Sequence, residues 1–215
     1  MDTKISSKRT YDSSRRKEQA RITQLRIIEA ARKLFITRGY SGATIELIAL
    51  KAGVAVETVY AAYGNKRRIL SRIISVSLVG DDDPTPLLQR QGPMAVMLQK
   101  DQHRQIQLFA NDIAEIMVRV APLFEVMRVA AKTEPDIADM LNKILSERVE
   151  GMKVFVNALS LNGPLQKGLT LELASETIWA ITSGEVFTLL VRDRGWEVGK
   201  YKQWLTNALT RLVIP

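Results

Sequence analysis

Apolar residues fall at three- and four-residue spacing along most of the chain, which is the period of an amphipathic helix. Ile22, Leu25, Ile28, Ala31 and Phe35 mark a first helix over 20–38, with Leu34 widening the stripe. Arg21, Arg26, Arg32 and Lys33 take its outer side, Gly39 is its natural stop, and Tyr40 is placed to pack beneath the next two helices. Thr44 then reads as the N-cap of a short helix carrying Ile45, Leu47, Ile48 and Ala52. Gly53 tolerates a positive φ and lets the chain reverse, and Val54 plugs the corner. A second short helix runs over 56–63. Asn65 caps a longer one, with Lys66, Arg67 and Arg68 in its first turn and Ile69, Leu70, Ile73, Ile74 and Leu78 behind them. The run Asp81-Asp82-Asp83-Pro84-Thr85-Pro86 breaks that helix; adjacent aspartates converge poorly on one ion, so a solvated linker is the reading.

The rest shows neither strand alternation nor a repeat. Short helices are expected near 86–91 and 93–99, then longer ones near 101–119, 122–132, 135–161, 171–192 and 198–213. Pro122, Pro135, Asn162-Gly163-Pro164, Gly168, Gly195 and Gly199 act as breakers, and Thr170 as an N-cap. The fold class is therefore all-α, in three parts. Residues 1–19, polar and basic with Lys4, Lys8, Arg9, Arg15, Arg16 and Lys17, are expected to form a disordered arm. Residues 20–65 form a three-helix domain whose two short helices and glycine turn make the bihelical unit used to read DNA. Residues 66–215 form a larger helical domain, with 66–80 as the connecting helix.

Charge sharpens this division. Residues 1–79 carry 16 Lys and Arg against 6 Asp and Glu, whereas residues 80–215 carry 15 against 17. A basic first third on a near-neutral remainder is the footprint of a nucleic-acid-binding module joined to a separate domain. Cysteine is absent, which excludes disulfides and thiolate metal sites and fits a reducing cytoplasm. No apolar run approaches the ~18 residues of a membrane span, and the N-terminus lacks the apolar core of a signal peptide. With one histidine, no glycine-rich phosphate loop and no evident carboxylate pair, no catalytic constellation emerges, and no cofactor or metal is implied.

Gly39-Tyr40, Thr44, Ile48-Ala49, Ala52-Gly53-Val54, Thr58-Val59-Tyr60, Lys66 and Leu70 together resemble the DNA-binding domain of the TetR family of bacterial regulators. The resemblance covers roughly residues 21–70. It departs at Ala55, where the family usually opens its recognition helix with Ser, at Ala62, where an aromatic or His is frequent, and at the acidic Glu57. It implies a homodimer paired through the last two long helices, and a regulatory ligand inside the helical domain.

Candidate DNA-binding residues follow from position. Val56, Glu57 and Thr58 open the recognition helix, the part that reaches base edges. Thr58 suits a base, a phosphate or a thymine methyl, and Glu57 either cytosine N4 or the helix dipole. Tyr60 and Tyr63 are assigned to phosphates. Thr44 and Lys66 stand at helix starts, where free backbone N–H groups favour an anion. One bihelical unit covers half a useful DNA site, so a two-fold pair is required. Ile178, Ile181, Thr182, Phe187, Trp204, Leu205 and Leu209 are the candidate dimer contacts, with Ser183 and Gly184 small enough for close approach. Candidate ligand-pocket residues are Met94, Met97, His103, Phe109, Ile113, Met117, Phe124, Met127, Phe155 and Trp179.

The expected function is a dimeric, cytoplasmic, non-enzymatic transcriptional regulator. It would repress from a palindromic double-stranded DNA operator and leave it on binding a small apolar molecule. The alternatives are a DNA-binding regulator without a small-molecule effector, and a helical scaffold that binds only protein.

Overall fold

The computed structural model describes residues 8–215, with side chains from Ser14 onward. The described residues hold helices and turns and no strand. They divide into two compact units, residues 1–73 and 74–215. The division falls inside the connecting helix rather than at its start, because Ile69, Leu70 and Ile73 are fully buried.

The first unit contains α1 (Lys8–Gly42), α2 (Ile45–Ala52), α3 (Val56–Tyr63) and the start of α4 (Lys66–Val79). Helix α1 begins earlier than expected. Lys8 to Gln19 are helical where a disordered arm was anticipated, and only residues 1–7 of that arm lie outside the described residues. Local chemistry accounts for the extension. Arg15 to Arg21 are mostly strong helix formers, and Glu18 and Arg21 pair across one turn at 2.9 Å. The buried stripe of α1 also sits about a turn later than the spacing implied. Ile27, Ala31 and Phe35 are fully covered, whereas Ile22 is 40% exposed. Helical φ/ψ ends at Gly39, whose φ of 69° ejects the chain from the helix axis. Tyr40 then stacks on Phe35 with ring centroids 5.7 Å apart, in the core position expected of it.

The second unit is built around α6 (Gln102–Ala130), which packs against α5 (Gln91–Leu98), α7 (Pro135–Ser160), α9 (Gly184–Phe187) and α10 (Val198–Val213). Helix α8 (Leu171–Ile181) lies on α7. Two expected boundaries are corrected. Pro122 does not end a helix; α6 runs through it. A proline there removes one backbone bond, but Val120, Ala121, Leu123 and Phe124 around it are all buried, and their burial outweighs the lost bond. Conversely, the helix expected over 171–192 is broken. Its first part stops at Thr182, Ser183 caps α9 by accepting from the Val186 N–H, and a π-helical stretch over Thr188–Asp193 follows. Thr182 leaves helical geometry at φ −87° and ψ 13°, and Ser183, extended, supplies the N-cap that starts a new helix.

Around the end of α4, Arg90 fixes the acidic linker. Its guanidinium binds Asp81 through two nitrogens, each at 2.8 Å, and reaches the carbonyls of Val79, Asp83 and Thr85. Arg119 donates to the carbonyls of Ser77 and Leu78, satisfying the last turn of α4. The aspartate run is thus a guanidinium-bound turn, and among the described residues no acidic or histidine cluster is arranged to hold a metal.

Candidate nucleic-acid interface

The bihelical unit forms as its residues dictate. Thr44, in an extended conformation, accepts from the Leu47 N–H and caps α2. Gly53 closes α2 in the left-handed region, φ 64° and ψ 44°, and its N–H returns to the carbonyls of Ala49 and Leu50. A Cβ at this position would meet Arg26 Nη2 at 2.7 Å, because Arg26 reaches across from α1 to donate to the Gly53 carbonyl. Arg26 is therefore a strut for the turn. Its partner is 27 positions away, so periodicity carried no sign of it.

Helix α3 opens at Ala55 with no side-chain cap. Its hold on the unit comes from Val59, which is 1% exposed. Burying a valine is worth about 2 kcal/mol, against about 1 kcal/mol for the missing cap, so α3 stays docked without it. The opposite face is presented outward: Glu57, Tyr60 and Ala61 are exposed, and Val56 and Thr58 half-buried. Tyr60, at 49%, has the greatest reach of these.

Two of the residues assigned to phosphate are engaged inside the protein. Lys66 Nζ donates to the Tyr40 carbonyl at 2.8 Å and lies 4.1 Å from the centre of that ring. Tyr63 donates from its hydroxyl to the Gln24 carbonyl at 3.2 Å. Both side chains are half-buried. Lys66 thus braces the start of α4 against the loop after α1, while Arg67 and Arg68 stand exposed in the same turn. Asn65 caps that turn as expected, accepting from the Arg68 N–H at 2.9 Å. Glu46, in the first turn of α2, has its carboxyl held below the usual range by its own backbone N–H and by Thr44. Its negative charge stands within one turn of Thr44, the position assigned to a phosphate.

The other candidate sets change character. Of the dimer residues, Ile178, Thr182, Leu205 and Leu209 have no exposed surface in a single chain and Phe187 only 3%, so they build the chain's own core and have no surface to offer a partner. Ile181 and Trp204 are half-buried. The exposed apolar side chains of this region are instead Leu171, Leu173, Leu189 and Leu212. Of the pocket residues, His103 and Met94 face solvent, and Met97 and Trp179 are half-buried. Phe109, Ile113, Met117, Phe124, Met127 and Phe155 are core, with the rings of Phe109 and Phe155 stacked 3.8 Å apart.

Residues 27–73 match the family model described as bacterial regulatory proteins, tetR family. No curated protein sequence matches the chain. Among solved structures, the SmeT–triclosan complex superposes with a TM-score of 0.69 at 17% identity, covering 90% of this chain and 92% of that one. NalD of Pseudomonas aeruginosa, the secondary repressor of the MexAB-OprM multidrug efflux pump, gives 0.67 at 19%, covering 92% and 98%. A transcriptional regulator of Aquifex aeolicus gives 0.63 at 16%, covering 88% and 98%. The matched segment, residues 27–73, spans the unit that presents α3 and resembles the TetR family there, and the chain as a whole has the fold of those regulators.

Proposed function

We propose that the protein is a homodimeric repressor that holds a palindromic operator in the cytoplasm and releases it when a small molecule enters its helical domain. The outward face of α3, anchored by one buried valine and offering Glu57, Thr58 and Tyr60, carries the reading. In this assignment Val56, Glu57 and Thr58 meet base edges. Tyr60 and Thr44 meet phosphate, and the exposed Arg67 and Arg68 supply the charge that Lys66 directs inward. The basic first third agrees with a binding energy dominated by phosphate contacts.

Two solved structures support the regulatory half. One is a complex of SmeT with triclosan, and NalD is named as a secondary repressor. A small molecule acts here only as far as it binds the DNA-incompetent arrangement more tightly. Genomic footprinting followed by operator titration tests the proposal. Protection of two half-sites about one DNA turn apart supports a symmetric pair, and single unpaired sites, or no salt-sensitive DNA binding, refute it.

A further inference from the structure

Five helices of the second unit converge on a group of hydrogen-bond donors that the chain itself leaves unanswered. Arg148, on α7, points into the unit. Both of its hydrogen bonds leave from Nη2, to the Trp179 carbonyl and the Thr182 hydroxyl, each at 2.6 Å. Among the described residues no carboxylate comes within ion-pair distance of it. Its guanidinium lies 5.5 Å from the centre of the Trp179 ring. Three buried polar atoms on the neighbouring helices have no partner, Trp179 Nε1, Tyr201 Oη and Arg128 Nε, and the charges of Tyr201 and Arg128 are felt at Arg148. Tyr201 is fully buried, its ring edge-on to Phe187 at 5.1 Å. The adjacent acid, Glu185, is exposed and paired with Arg128 through that residue's Nη2.

Closing the end of α8 accounts for Arg148 Nη2, since a cation suits the C-terminus of a helix. It does not account for the three orphaned groups on the neighbouring helices. A buried donor without an acceptor is costly, and a buried cation without an anion more so. Burial accordingly lowers Arg148 to about 10, and pushes the Tyr201 phenol up to about 12. Two of the orphans are donors only and the third can donate, so the group lacks an acceptor, and beside a guanidinium the fitting acceptor is an anion. The Tyr201 side of the group is apolar, with the Phe187 ring against it.

We infer that the effector of this regulator is an amphipathic carboxylate whose head group binds Arg148, Trp179 Nε1 and Tyr201 Oη, with its apolar part among the neighbouring core side chains. This rests on the effector reading above and gives it a chemical class. Binding there falls on the Thr182–Ser183 break, so the head group would act on the joint between α8 and α9.

Isothermal titration of the full-length protein with octanoate against 1-octanol, and decanoate against 1-decanol, tests the assignment. Each acid should bind at least tenfold more tightly than its alcohol. Arg148→Met should abolish that advantage while leaving alcohol affinity unchanged, and Tyr201→Phe should reduce it. If Arg148→Met does not fold, as read by its far-UV circular dichroism, the acid-to-alcohol ratios of wild type and Tyr201→Phe decide. Equal affinity for acid and alcohol, or an acid advantage that survives Arg148→Met, overturns the anion site and leaves an apolar effector standing. No binding of either series to folded protein overturns the anion site and removes support from the effector reading as well.

Discussion

Lys66 shows how a residue's type and its employment can diverge. A lysine at a helix start is an obvious phosphate ligand, yet this one donates to the Tyr40 carbonyl and lies over the Tyr40 ring. Removing it leaves a part-buried carbonyl unanswered, which costs about 1–2 kcal/mol. Lys66→Ala should therefore lower the thermal midpoint of the protein and weaken operator binding on every sequence alike. Arg68→Ala should leave the melt unchanged while reducing the slope of log affinity against log salt by about 0.9, the loss of one phosphate contact. Thr58→Ala should instead alter preference among operators. Melting curves together with titrations at several salt concentrations separate the three outcomes. An unchanged melt for Lys66→Ala would return it to the DNA surface. Gly53 makes a second test. Its φ of 64° is one that side chains other than glycine adopt poorly, and an added Cβ would strike Arg26 Nη2. Gly53→Ala should cost about 1–2 kcal/mol, and less when combined with Arg26→Ala, which clears the clash but not the backbone strain.

Helix α3 is held by packing rather than by its ends, and this is open to correction by substitution. Ala55 already has the extended backbone of an N-cap and is exposed, but it has no oxygen to offer. Ala55→Ser should raise stability by about 0.5–1 kcal/mol, read as a shift of the denaturation midpoint without a change in slope. A loss of stability would mean that α3 does not begin at Val56. The linker after α4 yields a pH test. The Arg90 guanidinium, and next the Asp83 N–H, hold the Asp81 carboxyl down at about 2. Its folded value lies below the ordinary one near 3.8, so its contribution is complete above the ordinary value and fades as pH falls from about 4 to about 2. Asp81→Asn should lower the midpoint at neutral pH, with the difference from wild type vanishing near pH 2. These elements also show what was legible beforehand. Thr44, Gly53 and Asn65 act through neighbours three or four positions away, so caps and turn could be read directly from the residues. The struts from Arg26 and Lys66 bridge 27 and 26 positions, and local spacing is silent about them. Pro122 and Thr182–Ser183 misled in opposite directions: burial around the proline carried the helix through it, and Ser183 capping the Val186 N–H started a new helix inside the expected one.

Across the molecule, the apolar residues of α8 and α10 serve two separate ends, and periodicity alone cannot divide them. Leu205 and Leu209 lie wholly inside the chain, whereas Leu212, one turn on, is 43% exposed, and Leu173 on α8 is 50% exposed. An apolar side chain left half in water on a terminal helix is available to a second copy; one at zero exposure is not. The candidate interface therefore shifts outward from Leu205 and Leu209 to Leu173 and Leu212, with Leu189, at 56%, in the π-helical stretch. The two sets of leucines should respond differently to charge. Leu173→Arg combined with Leu212→Arg should give a folded protein of half the mass in sedimentation equilibrium, with operator affinity reduced to that of a single half-site. Leu209→Arg puts an unpaired charge in the core and should unfold the second unit. A double variant that still sediments as a pair would mean that the copies associate through other surfaces. If wild-type protein sedimented as a monomer at micromolar concentration while binding a palindrome tightly, the two copies would be assembling on the DNA rather than before it.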